Sequence, residues 1–257
     1  ALISTLLISI SCGLVGTYIV AKRMVFISGG ITHASFGGLG LAYYLGISPM
    51  FGATVFSILS ALGILFLAES KKLREDSLIG IFWSAGMAIG ILFIYLTPGY
   101  APNLMSYLFG NILTVTRDQI IMSVVLCLLI ILFFVRFYRP LFYIAFDKEY
   151  SKTHHVHVNI IDVSITLIIA LCIVLCLKLA GIILVISYLT IPQAIASLFY
   201  KNFKQLLVAS AIISTIGSML GLFVAAELNI PTGATIVICF LVFFVICWGI
   251  NKLRRRE

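Results

Sequence analysis

The sequence predicts an all-α, polytopic membrane protein with about nine transmembrane helices, eight being the nearest other count, and one short re-entrant or external helix. Three observations carry this: 62% of the 257 residues are apolar, only 10% are charged, and the charges fall between long apolar runs. Soluble domains average about 25% charged residues. Within lipid every backbone group must be bonded internally, and a helix achieves this inside one segment. A formal charge of +8 would suggest nucleic acid in a soluble chain. Here the Lys and Arg residues cluster at the ends of apolar runs, as cytoplasmic loops do, so the expected partner is membrane lipid and no nucleic acid.

A spanning helix takes roughly 20 mostly apolar residues. The first such run, 1–21, ends at Lys22-Arg23; because its charged flank follows rather than precedes it, no cleavable leader is expected. The second, 31–46, carries SFGGLG (35–40), and the third, 50–69, ends at KKLR (71–74). The fourth, 77–96, contains SAGMAIG (84–90). Small residues at this spacing let helices approach closely. The piece 104–115, LMSYLFGNILTV, is too short to cross. Then follow 118–137, which runs into a basic stretch, 160–177, 180–199, 205–226 with STIGSMLG (214–221), and 232–250, which runs into KLRRR (252–256).

Charge orients the layout. With the N-terminus outside, the C-terminus cytoplasmic and 104–115 not crossing, only Arg117 and Lys178 of the seventeen basic residues lie outside. The chain then reads as one transmembrane domain, 1–257, with a cytoplasmic segment at 146–158.

Ionisable groups inside spans are costly and are functional candidates by default. His33, in GGITHASFGG (29–38), is the clearest, flanked by Gly29-Gly30 and Gly37-Gly38, which permit a bend or a close helix contact. Glu227 sits near the outer end of the eighth span as a candidate entrance residue, and Asp162 reads as an interfacial charge at the inner end of the sixth. The six cysteines all lie in apolar runs and form no CxxC or disulfide framework. Cys172 and Cys176, at i and i+4, share a helix face suited to a soft metal, with no third ligand apparent. Three of the four histidines, His154, His155 and His157, crowd into KTHHVHVN (152–159) on the cytoplasmic side. They read as a solvated helix end, or, with His154 and His157 at i and i+3, as a site sensing cytoplasmic metal. No phosphate loop, HExxH or GxSxG motif is present, so the chain is expected to be no enzyme, and any ATP site belongs to another chain.

Six stretches in constant order resemble the permease subunits of the zinc/manganese/iron ABC transporters: AKRMVFISGGITHASFGGLG (21–40), SLIGIFWSAGMAIGI (77–91), LMSYLFGNILTVT (104–116), FDKEYSKTHHVHV (146–158), LAGIILVISYLTIPQAIASLF (179–199) and LNIPTGATIVI (228–238). The resemblance runs the length of the chain. It implies the type II, vitamin B12 importer-like fold, a cytoplasmic-membrane location, and a homodimer of permeases on two cytoplasmic ATPase subunits. It also implies an extracytoplasmic metal-binding receptor, and a transported divalent metal (zinc, manganese or iron) with no tightly bound cofactor. By resemblance, Phe146, Asp147, Glu149, Tyr150, His154 and His155 belong to the segment that couples to the ATPase and His33 lines the metal pathway; Gly29, Gly30, Gly37, Gly38 and Pro192 read as helix-packing or hinge positions.

Two departures bear on the substrate. The family pattern places an aspartate one turn before the histidine, where this chain has Gly29, and Asn229 stands where the family has another aspartate. Losing hard oxygen ligands favours zinc over manganese. A haem or siderophore importer of the same fold is the alternative. An ATP-independent secondary transporter would need an internal repeat or several buried charges, and neither is visible.

Overall fold

The computed structural model describes residues 1–70, 73–98, 115–153 and 158–254, the side chains of 149, 152 and 153 excepted. Within them the chain forms α1 (Leu2–Ala21), α2 (Val25–Tyr44), α3 (Pro49–Glu69), α4 (Glu75–Leu96), α5 (Arg117–Arg136), α6 (Tyr138–Phe146), α7 (Lys148–Thr153), α8 (Val158–Ala180), α9 (Ile182–Phe199), α10 (Phe203–Leu228) and α11 (Thr232–Arg254). All except α6 and α7 are long and apolar enough to cross a membrane, which gives nine spans among the described residues. The 104–115 piece, apart from Val115, and His154, His155 and His157 lie outside the described residues.

The second span differs from its expected 31–46. Helix α2 begins at Val25, so His33 sits near mid-helix rather than at an end. Ser28, Thr32 and the glycines lower the local hydropathy, yet their polar groups are satisfied within the helix. Ser28 Oγ donates to the Val25 carbonyl at 2.8 Å, and Ser35 Oγ to the Thr32 carbonyl at 2.6 Å. A hydroxyl bonded to its own helix needs no water.

Helix α2 is continuous and lies between α3 and α4. A methyl group on Gly38 would strike the backbone of Gly52 in α3, and one on Gly40 the backbone of Gly90 in α4. The glycine pairs thus bring three backbones together and introduce no break, a close approach that dispersion rewards where lipid offers no hydrophobic drive.

Helix α1 packs on α5, α9 and α10, α9 on α11, and α8 on α3. Tyr18, Tyr188, Phe203 and Phe240 are the largest fully buried side chains of this second half. Gly181 turns the chain from α8 to α9 at φ +79, a conformation an L side chain resists. Asn229 ends α10 in the left-handed region, φ 52 and ψ 43, which asparagine tolerates. The missing carboxylate at this position therefore coincides with a helix cap.

Pro192 lies inside α9 and removes the amide that the Tyr188 carbonyl would accept from. Gln193 repairs the gap: its Nε2 donates to the Tyr188 carbonyl at 3.1 Å and to the Cys12 carbonyl of α1 at 3.0 Å. The same amide occupies the space beside Gly16, where any side chain would collide with it. One residue thus patches a proline break and joins two helices.

Candidate functional site

His33 stands on α2 with its ring stacked on Trp83 of α4, centroids 4.2 Å apart and 10° from parallel. Its Nδ1 is buried and has no hydrogen-bond partner among the described residues. The imidazole is thus held against an aromatic face while its buried Nδ1 has no hydrogen bond among the described residues. Trp83 also explains the glycine one turn earlier. A Cβ on Gly29 would lie 2.9 Å from Trp83 Cζ3 and 3.3 Å from Cη2, so the indole fills the space an aspartate would need. Gly30 is closed in the same way by Ile79, whose Cγ2 would stand 2.6 Å from an added Cβ. Trp83 gives no sign of this role in the sequence, because an apolar aromatic within a span carries no polar signal of its own.

Glu227 is exposed near the end of α10. No hydrogen bond or ion pair joins it to His33 among the described residues, so the two candidates are not brought together.

Asp162 lies in the first turns of α8, as a charge at the end of a span, but it is buried and ion-paired rather than solvated. Its carboxylate is 1% exposed and held between two lysines: Lys22 Nζ at 2.7 Å, from the end of α1, and Lys148 Nζ at 2.6 Å, the first residue of α7. Lys148 also bonds Glu69 at the end of α3, at 2.6 Å. Burial taken alone would lower the Lys148 ammonium; the hydrogen bonds from Asp162 and Glu69 outweigh it and raise it above the usual lysine value. The buried carboxylate is affordable only because both of its oxygens carry a cationic donor. Two pairs of spans, α2 with α3 and α4 with α5, separate Lys22 from Asp162, so the ends of α1 and α3 and the start of α8 share one face.

The segment after α6 hangs from this junction. Asp147 caps α7, its Oδ1 accepting from the Tyr150 amide at 2.9 Å. Phe146 packs against Phe142 and, edge-on, against Phe203 at the start of α10. The segment is therefore fixed to α1, α3 and α8 by charge and to α10 by aromatic contact. Glu149 has no described side chain.

Cys172 and Cys176 do share a face of α8, and they meet a third thiol, Cys12 of α1.

Among the described residues the fold is thus nine spans, one of them glycine-packed and carrying His33, with a short helix tied to the ends of three others. In architecture it matches PsaBC from Streptococcus pneumoniae, solved in complex with Fab, with a TM-score of 0.83 at 29% identity over 96% of this chain and 89% of that one. The class is the all-helical permease of an ABC importer. In sequence the profile of the ABC 3 transport family matches residues 1–250, and the chain belongs to that family. It is 40% identical to an uncharacterized membrane protein of Synechocystis sp. over 252 residues, 98% of this chain and 90% of that one. To the manganese transport system membrane protein MntC of Halalkalibacterium halodurans it is 30% identical over 248 residues, 96% of this chain and 85% of that one.

Proposed function

We propose that this chain is the membrane subunit of an importer that moves a divalent transition metal across the cytoplasmic membrane by alternating access, driven by separate ATPase subunits. The observation that carries the reading is His33, an imidazole in the middle of a span with a buried, unpartnered nitrogen. A neutral imidazole is the commonest ligand for such ions. The metal is cargo, released by an extracytoplasmic receptor, passed along His33 between two permease copies, and discharged to the cytoplasm. Glu227, exposed at an end of α10, serves as an attractor at the entrance.

Energy enters through 146–158. ATP binding draws the partner ATPases together, and Asp147, by capping α7, keeps that segment rigid enough to transmit the displacement. Lys148 carries it to Asp162 and thus to α1, α3 and α8. A conformational change needs contacts that differ between two states, and a lysine shared between two carboxylates offers such a choice. His154 and His155 are assigned to the contact with the ATPase by resemblance to the family's coupling segment.

The donor set favours zinc, because imidazole without a neighbouring carboxylate suits zinc better than manganese and Trp83 occupies the carboxylate's place. Manganese is the second reading, favoured by the relative named for manganese transport. Uptake by cells expressing the whole transporter, with labelled Zn²⁺ and Mn²⁺ in competition, separates the two. His33→Ala is expected to abolish uptake of both ions with the assembled transporter undiminished; undiminished uptake would overturn the assignment of His33.

A further inference from the structure

We infer that Cys12, Cys172 and Cys176 form a second metal site, separate from the transport path, that binds one Cu(I) ion and ties α1 to α8. The three thiols come from two helices far apart in sequence. They are 0%, 1% and 1% exposed, and their sulfurs all lie within 4.8 Å of one another. Cys12 Sγ and Cys176 Sγ are 3.2 Å apart. Three sulfurs bound at about 2.3 Å to one ion, the usual metal–thiolate length, stand about 3.8–4.0 Å from each other. The Cys12–Cys176 pair is closer than that and no pair is farther apart than 4.8 Å, so rotation of the side chains can close the group on an ion.

The chemistry of the pocket selects the ion. Sulfur donors choose soft metals such as Cu(I) and zinc. Structural zinc takes four ligands, whereas this group supplies three, and the nearby Cys12 carbonyl is already engaged by Gln193. Each thiol that ligates gives up its proton, which leaves for water, because the thiolate is the form that binds a metal. Because the cluster is closed to solvent, the ion is acquired as the helices assemble in the membrane.

The test uses the full transporter, expressed in cells grown with added copper under reducing conditions and purified intact. Metal content per chain is measured for wild type, Cys176→Ser, Cys172→Ala and Cys239→Ser, the last a half-buried cysteine outside the cluster. About one copper per chain is expected in wild type and Cys239→Ser, and less than a tenth of that in the two cluster variants. X-ray absorption should report a sulfur-only shell at about 2.3 Å. Copper-loaded wild type should also unfold at a higher temperature than wild type from copper-starved cells, with no such difference in Cys172→Ala. The two cluster variants differ in position and chemistry, so a folding failure of one leaves the other to decide. Equal copper in all four proteins, no copper in wild type, or stoichiometric zinc in its place would overturn the site. None of these results bears on His33.

Discussion

Restoring the family's aspartate is the sharpest test of the His33 environment. In Gly29→Asp the new Cβ would stand 2.9 Å from Trp83 Cζ3, against about 3.5–4.0 Å for relaxed carbon contacts. The ring must retreat by roughly 0.6 Å or more, and its stacking on His33 opposes that. Overpacking of this kind costs about 1–3 kcal/mol, equivalent to a fall in thermal midpoint of about 2–4 °C per kcal/mol for a chain near this size. Trp83→Ala opens the space. Gly29→Asp is therefore expected to cost about 1–3 kcal/mol more in the wild-type background than in the Trp83→Ala background, the cost of the buried carboxylate being common to both. The assay is a double-mutant cycle by thermal unfolding of the purified transporter, with Mn²⁺ and Zn²⁺ uptake measured in parallel. The double variant, regaining a hard ligand, should shift its uptake ratio toward Mn²⁺. Equal costs of Gly29→Asp in both backgrounds would refute the claim that Trp83 takes the carboxylate's place.

Three further outcomes follow from the junctions. Asp162→Asn leaves Lys22 and Lys148 without their shared buried carboxylate, a loss of about 3–5 kcal/mol for a broken buried pair, read as reduced yield of assembled transporter. Lys148 has its protonation raised on folding, so the stability its charge contributes is fully present below the ordinary lysine value of about 10.4 and fades only as pH rises beyond it. The stability difference between wild type and Lys148→Met should accordingly be flat from pH 6 to 9 and shrink above that lysine value. Gln193→Leu strips the donor from the Tyr188 and Cys12 carbonyls and should cost about 1–3 kcal/mol, whereas Gln193→Asn, too short to reach both, should lie between it and wild type.

The spans were legible because hydropathy is a local quantity and the bilayer sets a length. The start of α2 was not, since GGITH dilutes the apolar signal while its hydroxyls are satisfied inside the helix. Asp162 reads in sequence as a lone charge near a span end, which gives no hint of two lysines, one 140 residues away. Cys12 joined Cys172 and Cys176 for a related reason: helical spacing reveals neighbours four residues apart, but a contact across 164 residues leaves no local trace. The absence of a carboxylate at position 29 was plain in the sequence. What fills its place required Trp83 to be set in space.

The stacked pair has a spectroscopic consequence. The chain holds two tryptophans, Trp83 and Trp248, and the second lies half-exposed on α11 with the Lys252 ammonium 5.2 Å from its ring centre. Replacing Trp248 by Phe leaves one tryptophan in the chain, stacked on the imidazole and excited apart from the tyrosines at long wavelength. Its emission then reports from inside the protein when His33 gains or loses a charge or a ligand. On the path proposed through His33, that emission would follow the cargo with no label attached.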